Sequence, residues 1–144
     1  MWGILISIIS GGLMSVQGVF NTEVTKQTSV WLSASFVQIT ALVVCVLAWF
    51  ITGRQGNPSS ILSVTPKYLL LGGALGAFIT YTVIVSINAL DPARSAMFIV
   101  SSQIIISYLL ELFGLFGLEK QPFEWRKLFG ILIIVAGIFT FKWK

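Results

Sequence analysis

The chain has 144 residues, of which 56% are apolar and only 10% charged, against about 25% charged in ordinary soluble domains. A water-soluble domain this small needs polar groups over a large relative surface; nine basic and five acidic residues cannot supply them, which leaves an exterior that faces lipid. The absence of histidine excludes a His-ligated metal, a His general base and a Ser-His-Asp triad, the single Cys45 excludes an intrachain disulfide, and the net charge of +4 is scattered without the basic stripe that nucleic acid requires.

Charge-free runs define the spans. Met1 to Thr22 has no charge in 22 residues, Gln27 to Gly53 none in 27, and Tyr68 to Leu90 none in 23. Ser95 to Leu118 runs 24 residues with one acid, Glu111, and Leu128 to Phe141 is a final run of 14. A helix needs roughly 20 residues to cross the hydrocarbon, so four runs qualify outright. The fifth is bracketed by Trp125 and Trp143, with Arg126, Lys127, Lys142 and Lys144 at its ends. Interfacial tryptophans and snorkelling basic side chains extend its reach to about 28 Å.

The expectation is an all-α integral membrane protein. It forms a single membrane domain over 1–144, with five transmembrane helices at approximately 2–22, 31–52, 67–88, 93–116 and 126–143. The connections are short. Arg54 to Pro66 is a Gly-Asn-Pro-Ser-Ser turn region, and Asp91-Pro92 places proline at a helix's first position. The amino terminus lacks a basic start and a small-x-small cleavage site, and is read as a retained first helix. Ser33-Ala34-Ser35-Phe36 and Ser95-Ala96-Met97-Phe98, each followed by a glutamine (Gln38, Gln103), hint at an internal repeat.

Basic residues in short loops set orientation. Five lie on the amino-terminal side (Arg54, Lys67, Lys120, Arg126, Lys127) and four on the other (Lys26, Arg94, Lys142, Lys144). A difference of one gives almost no preference. Either folding and flanking factors decide, or copies insert both ways and pair as an antiparallel, dual-topology homodimer.

Polar residues inside a membrane are costly and need a reason. At about 100° per residue, Ser10, Met14, Gln17 and Asn21 fall on one narrow face of the first helix. Gln103, Ser107 and Glu111 follow at i, i+4 steps on the fourth, with Gly114 completing the stripe. These faces suit a hydrated, substrate-binding cavity lined by Gln17, Asn21, Gln103 and Ser107. Equally, the amides could bond neighbouring helices and hold the bundle together at roughly 1 kcal/mol each. Glu111 is the one acid with apolar sequence on both sides. Desolvation favours its neutral form and would fit it for proton or ion coupling, whereas a loop Lys or Arg would make it a plain ion pair. Gln17 sits about 8 Å beyond its helix's midpoint and Glu111 about 10 Å beyond its own, toward opposite membrane faces. An inverted second protomer would bring the two levels together. Gly72, Gly73 and Gly76 on the third helix, and Gly130 and Gly137 on the fifth, suit close helix packing within the protomer or across a dimer.

These motifs resemble a known family. Gly12-x-x-Ser15-x-Gln17-x-x-x-Asn21, Gly72-Gly73-x-x-Gly76, Ser102-Gln103 leading to Glu111-Leu112-Phe113-Gly114-Leu115-Phe116-Gly117, and Arg126-x-x-x-Gly130 with Gly137 are similar to the YdcZ-like family of the drug/metabolite transporter superfamily. The resemblance implies five helices, the bacterial inner membrane and small-molecule transport, with lipid, substrate and a second copy as partners and no cofactor. The family is distantly related to small multidrug resistance exporters, but the first helix here carries Gln17 and Asn21 where those have a glutamate. The expected function is an alternating-access secondary transporter, proton- or ion-coupled through Glu111. The other readings are a non-transporting membrane subunit, half of a heteromeric transporter, or a channel. No constellation here supports an enzyme.

Overall fold

The computed structural model describes residues 1–142; Trp143 and Lys144, expected to close the last helix, lie outside them. Among the described residues the chain is helical, without strands. Five α-helices follow one another, α1 (Trp2–Gln27), α2 (Val30–Ile51), α3 (Gly72–Leu90), α4 (Pro92–Phe113) and α5 (Trp125–Lys142), with tight 3₁₀ turns at Pro58–Ser63 and Lys67–Leu71 between α2 and α3 and at Leu115–Gly117 between α4 and α5. Trp2–Gln27, Val30–Ile51, Lys67–Leu90 and Pro92–Phe113 are long and apolar enough to cross a bilayer. The α5 helix carries Arg126, Lys127 and Lys142 within its 18 residues and is not one of these four.

The burial pattern is that of a protein made for lipid. Large apolar side chains such as Ile4, Leu42, Val44, Leu75 and Phe113 are exposed along the helices, while Ser33 and Ser95 join Ile84 as the most deeply buried side chains. Small polar residues in contact and large apolar ones outside is how membrane helices pack, because lipid already solvates the apolar side chains.

Helix ends follow local chemistry. The α1 helix runs five residues beyond the expected boundary at Thr22. Glu23 and Lys26 pair at 2.5 Å one turn apart, and the hydroxyls of Thr22, Thr25 and Thr28 each donate to the carbonyl four residues earlier. Loss of hydropathy there marks the edge of the hydrocarbon and leaves the helix intact. Ser29 then caps α2, its hydroxyl accepting from the Leu32 N–H at 3.3 Å. Pro92 starts α4 at its first turn, as its fixed φ allows. Asp91 uses its carboxylate on Arg94, whose Nε donates at 2.9 Å. The α4 helix stops at Phe113, three residues before the expected end. Gly114 adopts φ +64°, ψ +40°, the left-handed conformation that terminates helices and that glycine takes at least cost.

The chain forms two compact units, Met1–Ala89 and Leu90 onward. In the first, the hydroxyl of Ser33 on α2 donates to the Asn21 carbonyl of α1 at 3.0 Å. Trp31 stacks on Tyr81 of α3, centroids 4.5 Å apart, and meets Phe78 edge-on. Gly18 lets α1 approach α3: a β-carbon there would lie 2.7 Å from Ile87 Cδ1. Gly76 sits against Gln38 of α2, whereas Gly72 and Gly73 have open space beside their backbone. In the second unit α4 packs on α5. Their joint is fastened by the Glu124 N–H donating to the Tyr108 hydroxyl at 3.1 Å.

Candidate functional site

Each polar stripe lines an open groove within its own unit. Helical periodicity places Ser10, Met14, Gln17 and Asn21 along one wall of α1. Val37 and Thr40 of α2, with Leu13, Val16 and Phe20, complete a groove of about 430 Å³. Gln17 is exposed in it, while Asn21 is only 8% exposed at its inner end. The Asn21 carbonyl already accepts the Ser33 and Thr25 hydroxyls, so this end of the groove is backbone-anchored. Thr40 donates to the Phe36 and Val37 carbonyls, while the Gln17 amide stands exposed on the α1 wall with Ser10.

The second groove, about 410 Å³, lies between α4 and α5. Gln103, Ser107 and Glu111 occupy it together, facing Lys127, Gly130, Ile131 and Ile134, with Ile104 and Tyr108 beside them. The three expected α4 residues therefore share one cavity. Gly114 does not extend their stripe, because the helix has ended there. Gly130 and Gly137, expected as packing positions, have nothing within 4 Å of where a β-carbon would stand. Gly130 borders this groove and Gly137 a neighbouring, mostly apolar one formed with Met97, Val100, Ile138 and Phe141. On this side of α5 the glycines leave room.

Glu111 has a partner that sequence reasoning left open. The Lys127 ammonium lies 3.6 Å from its carboxylate, 3.4 Å from that of Glu124 and 5.7 Å from the centre of the Tyr108 ring. All three charged side chains are part-exposed, Lys127 at 38% and each glutamate at 46%. Backbone bonds fix the position of Glu111: its carbonyl accepts from Gly114 at 3.3 Å and from Gln121 at 2.9 Å. The 114–124 connection thus folds back onto the end of α4 and brings Lys127, with its i, i+3 neighbour Glu124, up to Glu111. Tyr108 and Lys127 are the site residues that the sequence reading missed. The available signal was the i, i+3 spacing of Glu124 and Lys127 and of Tyr108 and Glu111; their meeting across two helices is non-local.

No three acidic or thiol ligands converge among the described residues to hold a metal. The chemistry on offer is recognition: amide and hydroxyl hydrogen bonding in both grooves, and exchangeable ionic contact in the second.

The comparisons with known proteins agree with this architecture. The model of one family, described as "Putative inner membrane exporter, YdcZ", matches residues 2–140. The chain belongs to the YdcZ family. It is a multi-pass protein of the inner membrane, as the four long apolar helices require. The family's description is that of an exporter and not of an enzyme. No curated protein and no solved structure shows significant similarity to the chain.

Proposed function

We propose that this YdcZ-family chain is a secondary transporter of small molecules that works by alternating access. Gln17 and Asn21 in one groove, and Gln103 and Ser107 in the other, contact the substrate; Glu111 couples transport to a proton or another cation. The observation that carries the reading is that both intramembrane polar stripes line cavities. Residues kept only to bind helices together would be consumed in helix–helix contacts, yet Gln17, Gln103 and Ser107 stand exposed on groove walls. The family's description as exporters favours outward movement.

In this reading the whole chain is one membrane domain in which α5 makes a fifth crossing, with Arg126 snorkelling to the headgroups at its amino-terminal end. Two copies assemble antiparallel, inserted in both orientations. The near-equal loop charges support dual insertion, and the bare backbone at Gly72 and Gly73 offers a second copy a face for close approach. Opposed protomers then rock about their shared axis, as inverted repeats do within larger transporters.

The test is solute movement in proteoliposomes across an imposed pH gradient. Glu111→Gln should abolish proton-linked flux and Gln17→Ala should weaken substrate recognition by about tenfold, the value of one or two lost hydrogen bonds. Unchanged transport in both variants would refute these roles.

A further inference from the structure

The Lys127 ammonium occupies the place where a cation would sit in the α4–α5 groove. Two carboxylates lie within 4 Å of it, and an aromatic ring stands at cation–π distance. Its grip is loose. Its ion-pair distances of 3.6 and 3.4 Å exceed the roughly 2.8 Å of a close charge-assisted hydrogen bond. The side chain is also 38% exposed on a flexible stem. The rest of the groove is too large for a bare ion, and its walls suit an organic body: Ile104, Ile131 and Ile134 are apolar, and Gln103 and Ser107 supply hydrogen bonds.

We propose that Lys127 is a tethered counter-ion which fills the Glu111 carboxylate site when the groove is empty, and that the substrate is a small organic monocation, an amine or guanidine, that displaces it. This deepens the reading of the groove as a substrate site and rests on it. Lys127 thereby sets specificity: neutral and anionic solutes gain nothing from displacing it, whereas a cation inherits its carboxylates and its aromatic face. Release of the substrate lets the ammonium return, so that Glu111 is never left uncompensated in the membrane.

Binding of three ring-matched probes to the purified full chain in detergent, by saturation-transfer NMR titration, separates the possibilities. The probes are benzylammonium, benzyl alcohol and benzoate. Lys127→Gln should bind benzylammonium about fivefold more tightly than the native chain, the upper end of what a part-exposed ion pair is worth. Lys127→Met should do the same should the glutamine variant fold poorly. Lys127→Arg, which keeps the counter-ion, should show no gain, and adding Glu111→Gln to Lys127→Gln should erase it. Benzyl alcohol and benzoate should bind the Lys127→Gln variant no more tightly than the native chain. An equal gain for all three probes would mean that the substitution merely opened space, and would overturn the proposal. So would the absence of any benzylammonium binding, or a gain that survives loss of the Glu111 charge. Flux plays no part in this measurement: a chain that follows this binding order but moves no solute refutes the transporter reading and leaves the counter-ion assignment standing.

Discussion

Gly114 is the residue on which the end of α4, and therefore the position of Glu111, depends. Replacing it by alanine imposes two costs. A side chain at φ +64° pays about 1–2 kcal/mol for left-handed backbone. The new β-carbon would also stand 3.1 Å from Lys120 Cβ, 3.2 Å from the Leu118 carbonyl oxygen and 3.3 Å from Lys120 Cα. Two of those three neighbours are backbone atoms, so relief requires the returning loop to move, at about 1–2 kcal/mol of overpacking. Restriction of the unfolded chain gives back about 0.4–1 kcal/mol, leaving a net loss of about 1–3.6 kcal/mol. Gly117 provides the control. It also has positive φ, at +87°, but nothing lies within 4 Å of its β-carbon position, so Gly117→Ala should cost only about 0–1.6 kcal/mol once the same offset is taken. Reversible unfolding in mixed micelles, titrated with a denaturing detergent and followed by circular dichroism, measures both. The contact contribution is the difference, in which the unfolded-state offset cancels. Equal stability of Gly114→Ala and the native chain, or a larger loss at Gly117 than at Gly114, would refute the reasoning that the loop is packed against this cap.

Three further outcomes are expected. Gly18→Ala should be nearly neutral, because the atom it meets is the free end of Ile87; Gly18→Leu should lose about 1–3 kcal/mol, with partial rescue by Ile87→Ala, and the same unfolding titration would expose a failure of that rescue. Tyr108→Phe removes the hydroxyl that accepts the Glu124 N–H and should cost about 1 kcal/mol, together with looser docking of the connection on α4, visible as faster amide exchange at residues 121–125. Reporters fused at the carboxyl terminus should be active on both sides of the inner membrane; activity on one side alone would remove dual insertion.

How much of this was legible in the sequence depends on whether the governing interaction was local. Charge-free runs placed α2 within one residue of its observed limits, and the start of α4 followed from Pro92, because hydrocarbon solvation and proline φ act on the residues that carry them. The stripes on α1 and α4 were equally readable, since a period of 3.6 fixes which side chains share a face before any partner is known. The misplaced end of α1 and the misplaced end of α4 fail for opposite reasons. At Glu23 charge appears while the helix continues, since an exposed i, i+3 pair is a good helical surface. At Gly114 the apolar run continues while the helix stops, since the left-handed residue breaks it in spite of Leu115, Phe116 and Leu118. Hydropathy reports the solvent, and helix ends report backbone conformation; in a membrane chain the two need not coincide.

Lys127 shows the same distinction at the level of the site. From sequence it is one of several basic residues at the amino-terminal end of α5, equivalent to Arg126 and explained as a snorkelling anchor. Its separate character comes from the connection after α4 turning back at Gly114, which lets a lysine on the next helix reach a glutamate sixteen positions earlier. The cap and the ion pair are therefore one device. If the turn at Gly114 were relaxed, the Glu111 carbonyl would lose its bonds to Gly114 and Gln121, the start of α5 would no longer be held against α4, and the Lys127 ammonium, still beside its i, i+3 neighbour Glu124, would leave Glu111 for the headgroups. A membrane carboxylate is tolerable only while something positive is at hand, so the geometry of one glycine decides whether Glu111 is a usable binding group or an unpaired charge.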